Sequence, residues 1–374
     1  MKPAGRRPDA LTPLQGLRYG ALGAPLAFAA LPLYVLLPSH YGASLGVPLS
    51  SLGAVLLATR ALDALVDPWL GRLADRVLAR PRRDAMALAA MAAVLMAVGF
   101  ATLFFPPAGN AGQLLTWCAA ALVTTGCALL VLALWALGGA PYRLARPSLA
   151  YLAPDAAPDA ARTDPWLPWR VPAFRRLMAV FLLNGVASAI PATLLLFFIR
   201  DRLQAPAWEP ALLGGYFAAA ALSMPLWVRA ASRWGLLRCW LAGMALAISA
   251  FVWAARLGPG DTTAFALICA ASGAAFGADL AVPGALLAGV IRRAGHGLHH
   301  EGQYFGWWTG ANKLNLALAA GVSLPLLQSL GYSPGARDAA ALGSLALIYA
   351  ALPCLFKGAA AALLWHHRHT LDRP

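Results

Sequence analysis

Charged residues are scarce in this chain, and acidic residues are the scarcest of them. Only 12% of the 374 residues are Asp, Glu, Lys or Arg, and 15 acidic side chains stand against 29 basic ones. Soluble domains typically carry about 25% charged residues. With 60% hydrophobic residues and a mean hydropathy of +0.65, the chain is too apolar for one water-soluble core, and we expect lipid to be its solvent.

Several motifs of enzyme and cofactor chemistry are also missing. The sequence has no Gly-Lys-Ser/Thr phosphate loop, which argues against ATP as the energy source. No Ser-His-Asp arrangement is evident, and the five cysteines show no metal-binding or redox spacing. Six of the seven histidines lie in basic segments without a supporting shell of cysteine or carboxylate: His296, His299, His300, His366, His367 and His369. We therefore expect neither an enzyme nor a metal site nor an organic cofactor.

Long apolar runs are what the chain has instead. A helix needs about 20 mostly apolar residues to cross the ~30 Å hydrocarbon layer, and the period-two alternation of membrane β-strands is absent. The sequence thus predicts an all-α polytopic membrane protein of about ten transmembrane helices. The predicted spans are 17–37, 49–70, 85–106, 113–138, 174–199, 209–228, 238–256, 262–291, 304–330 and 339–365.

The basic residues indicate the orientation of these spans. One set of alternating loops holds only Arg200, Arg202, Arg256 and Arg337, whereas the other set and both termini hold most of the remaining basic residues. Lys357 is assigned to the second set, with the carboxyl-terminal segment. By the positive-inside rule, both termini are cytoplasmic, and the expected location is a bacterial inner membrane. The excess of positive charge therefore indicates topology and not nucleic-acid binding.

A proline-rich polar segment at 139–173 divides the chain into two parts. We interpret it as a cytoplasmic linker between an amino-terminal bundle, 1–138, and a carboxyl-terminal bundle, 174–374. Four spans precede the linker and six follow it. Transporters often pair halves of equal helix number, so the first half is predicted to lack one helical pair.

Three charged residues interrupt the second predicted span. Arg60, Asp63 and Asp67 are spaced i, i+3 and i+7 and share one helix face. Charges at this depth cost about 3 kcal/mol or more, so they usually line a cavity or meet a partner. The two carboxylates could bind sodium or a proton, with Arg60 tuning their charge. The structural alternative is that Arg60 neutralises Asp63 while Asp67 lies at the cytoplasmic helix end.

Other polar residues within the later spans are further site candidates. Lys313 is interpreted as the only lysine within a span, and a compact ammonium group is suited to reversible pairing with carboxylates. A snorkelling lysine is the alternative. Asp279, Trp308 and Asn312 are assigned to a solute cavity, although a tryptophan near an interface is as often a membrane anchor.

Two blocks of sequence resemble known transporters. Gly71-Arg-Leu-Ala-Asp75-Arg76 is similar to the cytoplasmic loop motif between the second and third helices of the major facilitator superfamily, where it acts as a conformational latch. The block 17–76 resembles the glycoside-pentoside-hexuronide:cation symporter family, to which melibiose permease belongs. The carboxyl half resembles the same family at Ala278-Asp279-Leu280, at Gly302 to Phe305 and at Lys313-Leu314.

That resemblance implies a two-bundle transporter and assigns roles to residues. Asp63 and Asp67 would bind the coupling cation, Lys313 would face them, and Tyr19 would join the solute cavity. The chain departs from the family in having no acidic residue at 19–28 or at 113–140. These departures weaken the case for sodium as the coupling ion. They favour a proton-coupled or an uncoupled carrier.

The predicted function is cation-coupled symport of a sugar or related small organic solute, with the lipid bilayer as the other partner. Two alternatives stay open at this point. One is a carrier of lysophospholipids or other amphiphiles, and the other is a shortened membrane scaffold that transports nothing.

Overall fold

Long helices make up most of the described chain. The structure is a computed structural model that describes residues 32–33, 35–78, 82–138, 166–296 and 301–371, except for the side chains of 64–85, 133–138 and 301–302. Within these ranges no strand occurs. The long helices are α1 Leu49–Leu78, α2 Arg82–Phe104, α3 Ala111–Gly138, α4 Pro172–Phe197, α5 Glu209–Trp234, α6 Leu236–Phe251, α7 Thr262–Arg293, α8 Glu301–Ser329 and α9 Ala339–His366.

These helices confirm the all-α membrane architecture. Each of α1 to α9 corresponds to one predicted span, whereas the first predicted span, 17–37, lies mostly outside the described residues. Seven of the described helices, α2 to α7 and α9, are long and apolar enough to cross a membrane. The two outside this set, α1 and α8, contain the charged residues Asp63 and Lys313.

The end of α1 differs from the sequence prediction. Gly71, Asp75 and Arg76 were predicted to lie in a loop, but α1 continues to Leu78 and includes all three. No proline follows Gly71 in this helix, and its Leu, Ala and Arg residues favour helix over loop. The motif therefore lies on the last turns of a helix, with its side chains outside the described residues.

Local polar contacts fix several helix ends. Before α3, the Asn110 amide donates to Gln113 Oε1 at 3.0 Å and the Gln113 amide donates to Asn110 Oδ1 at 2.9 Å, a reciprocal capping box. Asp338 accepts the Ala341 amide at 2.8 Å and begins α9. Gly235, with φ of 83°, lets the chain turn directly from α5 into α6.

Two compact units are defined by Cα proximity. Among the described residues, one contains 32–33, 62–78, 82–108 and 116–138, and the other contains 35–61, 109–115, 166–296 and 301–371. In the second unit, α7 packs against α5 and α6, and α4 packs against α8 and α9. Helix α4 is the most buried of the seven membrane-length helices. It therefore provides the inner wall against which polar groups from α7 and α9 can be held.

A glycine permits close contact between α5 and α7. A Cβ atom added at Gly277 would lie 2.9 Å from the carbonyl oxygen of Ala220 and 3.1 Å from Trp227 Cδ1. Such a spacing leaves no room for a side chain, and small residues commonly allow membrane helices to approach this way.

A polar network joins the end of α4 to the connection between α8 and α9. Asp201 is 5% exposed and lies in the π-helical turn Phe198–Arg202 after α4. Its carboxylate accepts hydrogen bonds from Tyr332 Oη at 2.5 Å, from the Gly335 amide at 2.9 Å and from Arg337 Nη1 at 3.1 Å. This network ties the α8–α9 connection, on the side predicted to face away from the cytoplasm, to α4.

Candidate functional site

Polar side chains from four helices of the second unit meet at one point. Asp279 comes from the middle of α7 and Lys357 from α9. Asn184 and Ser188 lie one turn apart on α4, and Trp240 lies in the second turn of α6. The middle stretches of these helices are mainly apolar, so hydrophobic packing surrounds most of the cluster.

Lys357 has an acceptor for each of its three ammonium hydrogens. Its Nζ donates to Asp279 Oδ2 at 2.8 Å, to Asn184 Oδ1 at 2.9 Å and to Ser188 Oγ at 3.2 Å. Because an ammonium group carries three donors and no acceptor, this set uses its full hydrogen-bonding capacity.

Asp279 is held just as completely. Its Oδ1 accepts from Asn184 Nδ2 at 3.0 Å and from Trp240 Nε1 at 2.8 Å, while its Oδ2 accepts from Lys357 and from Ser188 Oγ at 3.3 Å. Trp240 is fully buried, so its indole N–H can only be satisfied inside the protein. The carboxylate orientation is therefore fixed from three helices.

Burial makes the pair electrostatically demanding. The side chains of Lys357 and Asp279 are only 9% and 8% exposed. Removing two charges from water costs several kcal/mol per ion, and the loss is offset only by close pairing and additional hydrogen bonds. Both conditions hold here, so the pair is stable as a neutral unit, and either charge alone would be strongly unfavourable.

The pair forms one wall of a cavity of about 100 Å³. The cavity lies among α4, α5, α6, α7 and α9, and its remaining walls are mainly aliphatic and aromatic, with Leu195, Leu212, Phe217 and Ile248 among them. Deep apolar pockets with a few convergent polar groups are the usual form of a small-molecule site. This cavity is the candidate functional site.

Prolines flank both charged residues along their helices. Pro283 follows Asp279 by four residues in α7, and Pro353 precedes Lys357 by four residues in α9. Since proline lacks an N–H, it cannot bond the carbonyl four residues earlier. The helical backbone is thus weakened beside the charged pair, at positions where α7 and α9 can bend.

Of the predicted cation-site residues, the structure describes Asp63 and Arg60. Both are buried, at 3% and 6% exposure. Asp63 lies against Gly126 of α3, where an added Cβ would come within 2.7 Å of Asp63 Oδ2. The fourth predicted span therefore presents a glycine to this carboxylate. The side chain of Asp67 and the whole of Tyr19 lie outside the described residues.

The predicted solute-cavity residues do not all come together. Asp279 lines the cavity, but Trp308 and Asn312 are not among its lining residues. Trp308 stacks on Phe181 with ring centroids 3.6 Å apart, within the packed core, and Asn312 is exposed. Lys313 is half-buried on α8. All of these positions, Asp279 included, remain predictions for the solute path.

The assignment of Lys357 to a cytoplasmic segment is wrong, and with it the claim that Lys313 is the only lysine within a span. Lys357 lies inside α9, nine residues before its last residue His366, or roughly 14 Å along the axis. A signal was present in the sequence, because Lys357 falls within the predicted span 339–365 and sits among Leu355, Phe356 and Gly358. Grouping Lys357 with the basic carboxyl-terminal residues was inconsistent with its place inside that predicted span.

Comparison with known proteins agrees with this architecture. The family model described as MFS/sugar transport protein matches residues 16–145 and 169–373, which is most of the chain. A comparison with curated proteins returned no match. The family match bears out the resemblance to the glycoside-pentoside-hexuronide type of major facilitator superfamily transporter. The chain therefore belongs to the MFS/sugar transport protein family, and it is a multi-pass membrane transporter of the major facilitator superfamily.

Proposed function

We propose that this protein moves a sugar or related small organic solute across the membrane together with a cation, by alternating access of two helical bundles. The observation that carries the proposal is the Asp279–Lys357 pair at the wall of an apolar cavity. Ionisable groups inside membrane helices are costly and usually mark an ion or solute path. The family match supports the transporter class, and its description names sugar as the first solute class to test.

The coupling cation is proposed to bind at Asp63 and Asp67. Burial of Asp63 within α1 supports this role, because a buried carboxylate gains from a cation or a proton that neutralises it. Arg60 and Lys313 are proposed to adjust the charge of the site, and Gly71, Asp75 and Arg76 to act in conformational switching. Sodium or a proton would serve as the coupling ion.

Counterflow into proteoliposomes tests the proposal directly. Purified protein would be assayed with a panel of radiolabelled sugars, with and without an inward sodium or proton gradient. Uptake accelerated by one gradient is expected, and Asp63→Asn should abolish that acceleration. Asp261→Asn, on an exposed turn before α7, is the matched control and should transport normally. If the folded protein takes up none of the sugars in the panel, the amphiphile carrier or the non-transporting scaffold is favoured.

A further inference from the structure

The walls of the cavity are poorly suited to a polyhydroxylated solute. Ser188 is already engaged with Lys357 and Asp279, and Ser272 Oγ donates to the Ile268 carbonyl of its own helix at 2.7 Å. Beyond the charged pair, the main remaining polar groups on the walls are the hydroxyls of Tyr216 and Tyr349. A sugar bound here would leave several hydroxyl groups without partners, and such buried groups oppose binding. The cavity therefore favours a solute with an apolar body.

The charges of the cavity are one of each sign. Among the described lining residues, Lys357 is the only basic side chain and Asp279 the only acidic one. The other titratable groups on the walls are Tyr216 of α5, Cys269 of α7, and Tyr349 and Cys354 of α9. From α4 and α6, Asp279 meets only the uncharged Asn184, Ser188 and Trp240.

We propose that this cavity binds a small organic monocarboxylate with an apolar body, and that Asp279 takes up one proton for each anion bound. The inference rests on the proposed function, from which it takes the small organic solute and not the sugar. It adds a proton site at Asp279 to the cation site proposed at Asp63 and Asp67. The carboxylate of the solute replaces Asp279 Oδ2 as the anionic partner of Lys357. The proton comes from the aqueous side and stays on Asp279, whose carboxyl group becomes neutral.

Hydrogen bonding explains why the exchange is needed. All three donors of Lys357 are in use, so an anion can reach the ammonium group only by displacing an existing acceptor. Asp279 is the one acceptor whose displacement can be compensated, because protonation removes its charge. Asn184 and Ser188 can keep their contacts to Lys357 in either state.

Charge neutrality explains why the two ligands are coupled. With no ligand the pair is neutral, and with both a proton and an anion bound the site is neutral again. Binding the anion alone leaves a net negative charge at a buried site, and binding the proton alone leaves Lys357 without an anionic partner. Both intermediate states are disfavoured by burial, which fixes the ratio at one proton per anion.

The cavity volume limits the size of the solute. At about 100 Å³, it is somewhat smaller than the ~150 Å³ engineered cavity that accepts a benzene ring. The cavity is also partly open, so a single ring can bind with part of its edge in the opening. Benzoate, one ring carrying one carboxylate, is the probe, and benzyl alcohol is its uncharged counterpart.

Calorimetric titration of the full-length protein in detergent micelles tests the proposal. Benzoate would be titrated in two buffers of different ionisation enthalpy, which reports the protons exchanged on binding. We expect uptake of one proton per benzoate near neutral pH, and a Kd that rises about tenfold per pH unit. Benzyl alcohol should bind at least tenfold more weakly.

Variants separate the two halves of the mechanism. Asp279→Asn mimics the protonated carboxyl and should bind benzoate with no proton uptake and no pH dependence. The double variant Asp279→Asn/Lys357→Met removes both charges, keeps the core neutral and should bind benzoate at least tenfold more weakly than wild type. Arg229→Gln, exposed on α5, is the charge-loss control and should match wild type.

Three results would overturn the inference: no benzoate binding by folded wild type, binding without proton uptake, or equal binding by the double variant. If gradient-driven sugar counterflow persists in that case, the transport function stands and only the anion site falls. If benzoate binds with proton uptake but no solute crosses the membrane, the site stands and the transport function falls.

Discussion

Lys357 shows how a full positive charge is kept inside an apolar helix. Its three acceptors come from two other helices, and one of them is a carboxylate that is itself held by Trp240 and Asn184. The charge is therefore neutralised by a carboxylate whose orientation is fixed by other hydrogen bonds. The stability of this region depends on the pair as a unit and not on either residue alone.

The pair predicts unequal costs for single and double substitutions. Lys357→Met leaves Asp279 buried without a counter-charge and should destabilise the protein by about 3–5 kcal/mol. Asp279→Asn/Lys357→Met should be much less costly, because two uncharged side chains of similar size fill the same space. Thermal unfolding of the purified proteins measures both, and a double variant as unstable as the Lys357 single variant would contradict the prediction.

Asp63 gives a second prediction at the scale of single residues. Gly126→Ala places a methyl group 2.7 Å from Asp63 Oδ2, which is too close for a van der Waals contact, so the carboxylate must move. We expect a loss of about 1–3 kcal/mol from overpacking together with weaker cation stimulation of transport. Gly112→Ala, at the start of α3 with its nearest neighbour at 3.5 Å, is the control in the same helix. Unchanged cation stimulation in Gly126→Ala would argue against Asp63 as the cation ligand.

At the scale of secondary-structure elements, helices α5 and α7 pack with their backbones in close contact. Gly277→Ala would force a methyl group against the Ala220 carbonyl at 2.9 Å. The helices must separate, at a cost of about 1–3 kcal/mol. Gly284→Ala, two turns along the same helix, meets nothing within 4 Å. It should be neutral or stabilise by about 0.5–1 kcal/mol. Equal unfolding temperatures for the two variants would disprove the close contact.

The Asp201 network makes a further prediction about elements. Burial, and then the hydrogen bond to Asp201, raise the pKa of Tyr332. The pKa of Tyr332 is therefore higher in the folded state than in the unfolded state. Its contribution to the free energy of unfolding is complete below the unfolded pKa of about 10 and is lost as the pH rises through the folded pKa. Tyr332→Phe leaves Asp201 short of one donor and should cost about 1–3 kcal/mol at neutral pH.

Unfolding of Tyr332→Phe in denaturant would measure that cost. Ser333→Ala, next to it and exposed, should behave as wild type. In the alkaline range, the difference in free energy of unfolding between Tyr332→Phe and wild type should become smaller. A constant difference up to strongly alkaline pH would contradict the raised pKa of Tyr332 as the cause.

Sequence alone predicted the elements well and their mutual contacts poorly. Hydropathy located the spans that correspond to α1 to α9. In lipid, each helix makes its backbone hydrogen bonds within itself, so a span can be recognised from its own residues. Asp279 was found because a charge in an apolar run is conspicuous. The pairing of Asp279 with Lys357 was missed because 78 positions separate the two residues, and no local pattern reveals which helices become neighbours. The stacking of Trp308 on Phe181 of α4 is another long-range contact that no local pattern reveals, and the role of Trp308 as a solute contact stays a prediction.

At the scale of the whole molecule, the two halves are predicted to differ in helix number. The predicted loss of one helical pair stays a prediction, since 139–165 and most of the first predicted span lie outside the described residues. The matched stretches of the family model are separated by 146–168, which falls within the predicted linker.

Orientation in the membrane is the prediction that belongs to the whole chain. The basic loops place the α8–α9 connection outside and the α7–α8 connection inside. In a variant without its native cysteines, Ser333→Cys should react with a membrane-impermeant maleimide on intact cells. His299→Cys should react only after permeabilisation. The reverse labelling pattern would invert the topology.

The cancelled charges of Lys357 and Asp279 also have an electrical consequence. A single elementary charge that moves through 100 mV exchanges about 2.3 kcal/mol with the membrane field. A lone ammonium in α9 would therefore make every movement of its bundle dependent on voltage. Because the carboxylate lies 2.8 Å away and moves with it, the field does almost no work on the pair. The return of the empty carrier should proceed at a rate that the membrane potential hardly alters.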